Sequence, residues 1–399
     1  MLTWEFPPRV VGGISPHVYN LSRHLVSDDI NVVVVTCDFP GASDHEKVDG
    51  VEVYRIDSYR HPTPNFGSWV FMMNTEMQNW AAEIIKTLKG RPIILHAHDW
   101  LVANAAIGLK HLFRIPIIAT VHSTEYGRRS GLHTDYERMI HETEWRLTYE
   151  AWKIICCSDY MSSQVSRLFS LDRDKVSTIP NGINANRFVK PYDRTLFRSR
   201  YVDPSEKLVL FVGRLFYEKG VSVLIDAIPK VLSKFNAKFL IVGDGYMRES
   251  LIKRVQNLGV SRKVYLLGFV DDETLELLYR TADVCVVPSL YEPFGIVALE
   301  AMAAKVPIVA TGVGGLREII EHDKTGVSVY PNDPESLAWG ITRVLASEEY
   351  AERLRTKAFQ RALKVYGWNP IAKKTKDLYR KVLAEYQNSS WKPPQARKS

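Results

Sequence analysis

Short runs of β-branched and apolar residues alternate with segments of helical period along most of this chain. The predicted strands lie at 31–36, 51–56, 92–98, 115–122 and 153–158 in the first half, and at 208–213, 238–243, 264–269, 284–288 and 307–311 in the second. This alternation is typical of βαβ units, in which helices cover both faces of a parallel sheet. The pattern predicts an α/β protein with two Rossmann-like, doubly wound domains.

A polar segment without clear periodicity separates the two halves at about 185–205. We therefore predict a first domain at 1–190 and a second domain at 191–367, followed by an amphipathic helix at about 368–387. Ligands of open α/β sheets bind beyond the carboxyl ends of the strands. With two such sheets, a cleft in which the domains face each other is the expected site.

The composition indicates a soluble protein: of 399 residues, 46% are apolar and 24% are charged. No run approaches the roughly 18 apolar residues that a membrane span needs, and the N-terminal sequence lacks the order of a signal peptide. Four cysteines without a CxxC pair favour buried free thiols in a reducing cytoplasm. The net charge of +7 weakly favours anionic ligands, and part of it lies in the tail at 391–399. We expect a cytoplasmic protein without a nucleic-acid partner or integral membrane association.

Two carboxylates flank the start of the helix that follows the fourth strand of the second half. Pro293 keeps Glu292 extended and suits the opening of a helix, so Glu292 should point toward the ligand edge of the sheet. The helix is otherwise apolar, which predicts that Glu300 is buried. A buried carboxylate needs a partner, so Glu300 either forms an ion pair with an Arg or Lys or accepts hydrogen bonds from ribose hydroxyls. Backbone N–H groups near Phe294 and Gly295 would donate to the same ligand.

Two cations follow the first strand of the second half. Arg214 lies just past that strand, and Lys219 lies at the start of the next helix. The N–H groups of a helix N-terminus already favour an anion, so the two cations would suit a diphosphate. The alternative is a pair of solvated charges, one of them neutralised by Glu218.

Glycine pairs precede several predicted helices. Gly12 and Gly13 permit close approach of the backbone to a ligand, while Ser15 is expected to cap the first helix and Pro16 to open it. The GxGxxG fingerprint is absent here, which disfavours an NAD-dependent dehydrogenase. In the second half, the turns at 243–245 and 312–315 line one edge of the sheet.

Polar residues also follow two strands of the first half. Asp99, His122, Glu125 and Arg128 stand where a sheet presents its ligand edge. A lone histidine at a strand end is more often structural than catalytic, so both interpretations of His122 stay open at this point.

The sequence also contains two patterns that can bind metals. His96 and His98 share one side of a strand, but no third ligand is evident beside them. The DxD pattern at 172–174 lies in a polar connection. We therefore predict no metal site.

In combination, these segments resemble the retaining GT-B glycosyltransferases that include the glycogen and starch synthases. The resemblance spans nearly the whole chain and rests on the joint occurrence of motifs in the family's order: WEFPP…GGI, HAHDW, TVHSTEYGR, IPNGIN, GRLFYEKG, GDG and EPFGIVALE. It implies a GT-B fold with an acceptor-binding first domain, a donor-binding second domain, and a final helix that crosses back to the first. It implies a nucleotide-sugar substrate, no cofactor and no required metal.

The resemblance also implies a role for each site residue. The catalytic set is Glu292 and His122 beside the donor sugar, with Arg214 and Lys219 on the diphosphate. The donor-binding set is Gly13, Gly243, Gly245, Phe294, Gly295 and Glu300, the last of them on the ribose. The acceptor-binding set is Asp99, Glu125 and Arg128.

The chain departs from the family's pattern at several positions. Val11 stands where bacterial glycogen synthases have Lys before the double glycine, and Asn184 stands where many relatives have Asp. The first strand begins at Met1 and is shorter than usual, so whether Met1 is the natural start is left open. The donor base and the acceptor are left open as well.

The expected activity is transfer of glucose from ADP-glucose or UDP-glucose to the non-reducing end of an α-1,4-glucan. One alternative keeps the fold but takes a lipid, a sugar phosphate or a cell-wall glycan as the acceptor. Another is a nucleotide-sugar-binding protein with little turnover, which the joint presence of Glu292, His122, Arg214 and Lys219 disfavours.

Overall fold

The structure, a computed structural model, describes residues 1–26, 30–88 and 90–392 and consists of two compact units. Unit 1 comprises residues 1–182 and the segment from residue 368, and unit 2 comprises residues 183–367. The end of the basic tail, 393–399, lies outside the described residues.

The first break between the units lies before the predicted boundary at 190/191. Ile183 already belongs to unit 2, because its N–H donates to the carbonyl of Tyr366 at 2.7 Å. It also forms an isolated parallel bridge with Gly367. The polar segment that separates the two sequence halves is thus the start of unit 2.

Unit 1 is built on strands that form two sheets. They are β1 (Val33–Cys37), β2 (His45–Val48), β3 (Val51–Ile56), β4 (Leu95–His98), β5 (Ile117–Val121), β6 (Lys153–Cys156) and β7 (Val176–Thr178). Strands β1, β3 and β2 form one sheet in that order, and β4 to β7 form a second sheet in sequence order. All pairs are parallel except β2 with β3. Leu2 forms a parallel bridge with both edge strands, to Val35 of β1 and to Ala97 of β4, so the first residues of the chain join the two sheets.

Helices connect these strands. They are α1 (Ile14–Leu25), α2 (Phe66–Thr87), α3 (Ala103–Phe113), α4 (Glu125–Arg129), α5 (Asp135–Glu150) and α6 (Asp159–Phe169). Short 3-10 helices lie at Trp100–Val102 and Arg173–Lys175.

Unit 2 holds one six-stranded parallel sheet with the order β10-β9-β8-β11-β12-β13. Its strands are β8 (Lys207–Val212), β9 (Ala237–Val242), β10 (Val264–Gly268), β11 (Val284–Val287), β12 (Ile308–Thr311) and β13 (Val327–Val329). Its α-helices are α7 (Arg194–Arg198), α8 (Val221–Leu232), α9 (Arg248–Asn257), α10 (Asp272–Thr281), α11 (Ile296–Ala303), α12 (Leu316–Ile319), α13 (Pro334–Leu345) and α14 (Glu348–Tyr366). Short 3-10 helices lie at Ala185–Phe188 and Tyr217–Lys219. The order reverses at β8, where crossovers to both sides leave a crevice at the carboxyl ends of the strands.

The chain then returns to unit 1 as α15 (Trp368–Gln387). Its buried face packs into the core of unit 1 through Trp368, Ile371, Tyr379 and Val382. Within the described ranges, no helix combines the length and apolarity that a membrane crossing requires. All four cysteines are free and buried, as expected.

Candidate active site

In unit 2, an ion pair lies in the crevice at the carboxyl ends of the strands. The Nζ of Lys219 lies 2.8 Å from Oε2 of Glu292, and the hydroxyl of Ser289 donates to the same oxygen at 3.0 Å. Glu292 is only 8% exposed, whereas the side chain of Lys219 is 21% exposed. The two predicted residues are therefore brought together, with the carboxylate buried and the cation at the surface of the crevice.

Close backbone contacts fix the loops that carry this pair. Gly220 follows Lys219 with φ of +66°, and a Cβ there would lie 1.9 Å from the carbonyl oxygen of Pro288. Gly243 has φ of +123°, and a Cβ there would lie 2.0 Å from the carbonyl oxygen of Gly213. A side chain fits at neither position, so the loops after β8, β9 and β11 pack backbone against backbone.

Arg214 is more exposed than Lys219. Its side chain is 52% exposed, lies 3.5 Å from Glu218, and stacks over the ring of Phe216 at 4.6 Å. The contact with Glu218 that belongs to the alternative interpretation, a pair of solvated charges, is therefore present. The next glycine turn packs beneath this loop, since a Cβ on Gly245 would lie 2.6 Å from the carbonyl oxygen of Leu215.

Glu300 on α11 has polar partners from two other segments. The Tyr279 hydroxyl donates to its Oε2 at 2.9 Å, and Nη1 of Arg187 lies 3.7 Å from its Oε1. The side chain is 15% exposed, and burial raises the pKa of Glu300 while Arg187 lowers it. Of the two alternatives drawn from the sequence, the ion pair is observed. These contacts do not use all the hydrogen-bond acceptor positions of the carboxylate, so Glu300 can still accept hydrogen bonds from ligand hydroxyls.

The segment that opens α11 differs in detail from the prediction. The helix begins at Ile296 rather than at Phe294, because Gly295 has φ of +114° and serves as the N-cap. The ring of Phe294 is buried, 6.0 Å from the ring of Tyr366, so only its backbone can face a ligand. Gly315 lies directly behind it and donates its N–H to the carbonyl of Glu292 at 2.9 Å.

In unit 1, three imidazoles meet at the ends of β4 and β5. His98 Nδ1 lies 3.3 Å from His122 Nε2, and the ring of His17 on α1 lies 4.8 Å from that of His122. Burial lowers the pKa of His17 to about 4 and lowers the pKa values of His98 and His122 well below their ordinary range. All three rings are therefore neutral at pH 7.

The polar atoms of this trio are incompletely used. Among the described residues, neither ring nitrogen of His17 nor Nε2 of His98 has a hydrogen-bond partner. The nearby Asn181 amide raises the pKa of His17, opposing burial, yet its Oδ1 also lacks a partner within the described ranges. These nitrogens and this amide oxygen are groups that can form hydrogen bonds with hydroxyls.

One member of the HxH pair belongs to a histidine cluster that the sequence did not reveal. One nitrogen each from His17, His98 and His122 lie within 4.8 Å of one another, a grouping that could hold a metal ion. His17 comes from α1 and His122 follows β5, so both are separated in sequence from His98. His96 belongs elsewhere, because its ring nitrogens contact the hydroxyls of Tyr379 at 2.6 Å and Thr120 at 2.7 Å. Whether catalysis needs a metal stays a prediction.

Of the residues expected to bind the acceptor substrate, Glu125 and Asp99 lie near the guanidinium of the third, Arg128. Arg128 contacts Glu125 at 2.7 Å and Glu144 at 3.6 Å, and it also bonds to Ser123. Asp99 is buried with φ of +64°, an uncommon conformation for a residue other than glycine, and accepts the N–H of His122 at 3.2 Å. Burial raises the pKa of Asp99 to about 6, against the opposing field of Arg128.

Glu144 is a member of this cluster that the sequence did not reveal. It lies on α5, is 3% exposed, and accepts the N–H of Glu125 at 2.8 Å. Burial raises the pKa of Glu144 to about 8, so it is largely protonated at neutral pH. Its charged neighbours on α5 give no sign in the sequence that this position faces inward.

The double-glycine turn is organised by another unforeseen carboxylate. Glu5 accepts the N–H groups of Val11 at 2.5 Å and of Gly12 at 2.9 Å. Helix α1 then begins at Ile14 with Gly13 as its N-cap. The prediction that Ser15 caps this helix is wrong, because its hydroxyl donates to the carbonyl of Arg9 instead.

These features define a class of protein. Each unit presents polar and glycine-rich loops at the carboxyl ends of a parallel sheet, which is the arrangement of a Rossmann-like nucleotide-binding fold.

The comparisons with known proteins agree with this class. Residues 11–187 match Glycosyltransferase Family 4, and residues 193–361 match Glycosyl transferases group 1. A glycosyltransferase of Methanocaldococcus jannaschii, described as uncharacterized, is 42% identical over 95% of this chain and 97% of its own. The glycogen synthase of Mycobacterium tuberculosis is 35% identical over 95% of this chain and 93% of its own. The solved structure of sucrose-phosphate synthase from Thermosynechococcus elongatus, 25% identical, superposes with a TM-score of 0.83 over 96% of this chain and 98% of that one.

The chain belongs to the GT-B glycosyltransferases of the family 4 type and is a hexosyltransferase. The fold class expected from the sequence, two Rossmann-like α/β domains, is confirmed.

Proposed function

We propose that this hexosyltransferase is a retaining, cytoplasmic glucosyltransferase that extends an α-1,4-glucan at its non-reducing end from ADP-glucose or UDP-glucose. Identity of 35% to a glycogen synthase along nearly the whole chain supports this acceptor class. The motifs that carry the resemblance to glycogen and starch synthases lie in both units, which supports a shared reaction rather than a shared fold alone.

One observation carries the proposal: the contact of Lys219 with the buried Glu292 at the crevice of unit 2. When a sugar leaves a nucleoside diphosphate, negative charge builds on the β-phosphate. Lys219, Arg214 and the N-terminus of α8 would stabilise that charge. Glu292 holds Lys219 in place and, in our proposal, faces the departing sugar.

The nucleoside would be held at the carboxyl end of the same sheet, beside Glu300. Glu300 keeps free acceptor positions beside Tyr279, so it can accept hydrogen bonds from the vicinal hydroxyls of ribose. The backbone of Phe294 and Gly295 and the turn at 243–245 complete the proposed donor-binding set, with the N–H of Gly13 directed to the diphosphate.

In unit 1, His122 would contact the transferred sugar. Because its imidazole is neutral at pH 7, it can exchange hydrogen bonds with sugar hydroxyls without placing a positive charge beside the forming oxocarbenium-like centre. Asp99, Glu125 and Arg128 would bind acceptor hydroxyls.

The proposed reaction is a substitution at the anomeric carbon. The bond from that carbon to the β-phosphate oxygen breaks and its electrons stay on the diphosphate. A bond to an acceptor hydroxyl forms on the same face, and the hydroxyl proton leaves with the diphosphate. Two side-chain cations already compensate the charge, so we propose that no divalent metal is required.

The test is a donor-by-acceptor screen with purified protein. ADP-glucose and UDP-glucose are each incubated with maltooligosaccharides, and chain length is followed by chromatography, with the anomeric configuration of the new linkage read by NMR. We expect lengthened chains with α-linkages. If neither donor lengthens any maltooligosaccharide, or if the new linkage is β, the proposal is wrong.

A further inference from the structure

The three histidines that meet in unit 1 come from separate elements of the fold. His17 lies near the start of α1, His98 is the last residue of β4, and His122 directly follows β5. Because the strand register pairs His98 with Thr120, His122 stands two residues further along the neighbouring strand. His17 and His98 are buried, whereas His122 is half-buried. The trio can therefore be reached from the carboxyl ends of β4 and β5.

Two of the nitrogens already have the spacing of metal ligands. Nδ1 of His98 lies 3.3 Å from Nε2 of His122. With Zn–N bonds of about 2.0–2.1 Å, two ligand nitrogens of a tetrahedral zinc ion lie about 3.4 Å apart. An ion placed between these two atoms would bind both without movement of either strand.

The third ring needs only a small movement to join them. One nitrogen from each of the three rings lies within 4.8 Å of the other two, so His17 would have to move by about 1.5 Å to complete a zinc site. A rotation about its second side-chain torsion, which has a broad energy minimum in histidine, gives a movement of this size. The ring of His17 is also inclined to the other two, by 60° to His98 and by 77° to His122. Ligands that approach a tetrahedral ion come from such different directions.

Hydrogen bonds account for only part of the cluster. The contact of His98 with His122 can use one proton and one nitrogen of each ring. Within the described residues, neither nitrogen of His17 and not Nε2 of His98 has a hydrogen-bond partner. The lone pair of a neutral imidazole is a metal ligand, so these nitrogens can change their partners when an ion binds.

The chemistry of the ligands selects the ion. A set of three imidazole nitrogens suits Zn²⁺, whereas Mg²⁺ and Mn²⁺ prefer carboxylate, carbonyl and water oxygens. Zinc bound by three protein ligands keeps a fourth position for water or another ligand. The half-buried position of His122 places that fourth position toward the carboxyl ends of the strands.

We propose that His17, His98 and His122 form a zinc-binding site and that the bound ion inhibits glucosyl transfer. The inhibitory part rests on the proposed function, in which His122 contacts the transferred sugar. A nitrogen that coordinates zinc no longer exchanges hydrogen bonds with sugar hydroxyls. The ion would also place positive charge beside an oxocarbenium-like centre, which raises the energy of the transition state.

Zinc binding is measured directly, without reference to activity. EDTA-treated full-length protein is dialysed against zinc and the bound metal is determined by elemental analysis. We expect a single zinc ion per chain, and with Co²⁺ the visible spectrum of a tetrahedral site. His17→Phe keeps a ring of similar size but removes a ligand, and should weaken zinc binding by more than about 10-fold. His98→Phe removes a ligand from β4 and should do the same, so the result does not depend on the folding of one variant.

The matched control is His111→Ala, which removes an exposed histidine from α3 of the same unit. It should bind zinc as the wild type does. Equal zinc binding by the wild type, His17→Phe and His98→Phe, or no zinc binding by the wild type, overturns the proposed site.

Inhibition is measured as the rate of maltooligosaccharide extension. Zinc that fills the site should lower kcat of the wild type by at least about 10-fold, and EDTA should restore it. Mg²⁺ at the same concentration should change the rate by less than about twofold. An unchanged rate in zinc-loaded protein, or equal inhibition of the wild type and His17→Phe, overturns the inhibitory role. A chain that extends no maltooligosaccharide would instead overturn the proposed function, while the dialysis still decides the metal site.

Discussion

The hydroxyl of Tyr279 lies 2.9 Å from Oε2 of Glu300, so the carboxylate expected to bind ribose is already held by a buried phenol. With Arg187 near the other oxygen, Glu300 is positioned before any nucleotide arrives. A carboxylate held in this way loses little rotamer freedom on binding, which favours affinity for the ligand.

The first prediction follows from this contact. Tyr279→Phe keeps the ring but removes the hydrogen bond, and should raise the KM for the nucleotide-sugar by about 3- to 10-fold with little change in kcat. Glu300→Ala should raise the same KM by about 100-fold, because hydrogen bonds to a charged group are lost. Steady-state kinetics measures both. Tyr350→Phe, which removes a hydroxyl bound to Asp323 in the same unit, is the control and should leave KM unchanged. If the KM for the nucleotide-sugar is unchanged in Glu300→Ala, then Glu300 does not bind the ribose.

The second prediction concerns the diphosphate. Lys219→Ala should lower kcat by about 10²- to 10³-fold, since it removes a charge partner of the leaving group. Lys230→Ala is the matched control, because Lys230 pairs with Glu335 on the surface of the same unit. Circular dichroism should show both variants folded. Intact turnover in Lys219→Ala would show that the diphosphate lies elsewhere.

The third prediction is a dependence of stability on pH. The folded-state pKa of Glu144 is raised to about 8, above its usual 4.5, so the folded protein binds an extra proton between those values. The contribution of this group to the free energy of unfolding therefore falls as pH rises from about 5 to about 8. Glu144→Gln mimics the protonated form and should flatten the dependence, gaining on the order of 1–3 kcal/mol relative to wild type at pH 8.5.

Urea unfolding at pH 5.5, 7 and 8.5 measures this effect. Glu142 is exposed on the same helix, so Glu142→Gln serves as the control. Its free energy of unfolding should depend on pH as that of the wild type does. If the free energy of unfolding depends on pH equally in the wild type and in Glu144→Gln, then Glu144 does not carry the extra proton.

The fourth prediction concerns metals. Although His17, His98 and His122 could hold an ion, we expect the rate of glucosyl transfer to change by less than about twofold after treatment with EDTA, because Lys219 and Arg214 supply the charge compensation. Elemental analysis of the purified protein checks occupancy directly. Loss of activity on chelation, with recovery on adding zinc to the wild type but not to His17→Ala, would contradict the expectation.

The sequence predicted the buried strands well, and their burial explains why. β5 (Ile117–Val121) lies within the predicted range of 115–122, and β11 spans Val284–Val287, one residue short of its predicted range. Strands covered by helices on both faces are continuous β-branched runs, which stand out in a sequence. The strands that escaped prediction, β2, β7 and β13, lie at sheet edges, where short and partly polar segments carry no such signal.

The site could be predicted in part. Glu292 and Lys219 stand at strand ends in recognisable motifs, and the structure brings them into contact. Their environment could not be foreseen, since Arg187 reaches Glu300 from the segment between the sequence halves and Glu144 comes from a strongly charged helix. Partners remote in sequence are fixed by tertiary packing, which neither periodicity nor motif spacing encodes.

The contact of Gly220 with the Pro288 carbonyl has a practical consequence for protein engineering. Any attempt to change donor preference by randomising the loop after β8 must leave position 220 untouched, because a single methyl group there would push apart the loops that carry Lys219 and Glu292. Tyr217 is exposed on the same loop, and a library directed at that position can vary sugar-nucleotide selectivity without disturbing the backbone scaffold beneath.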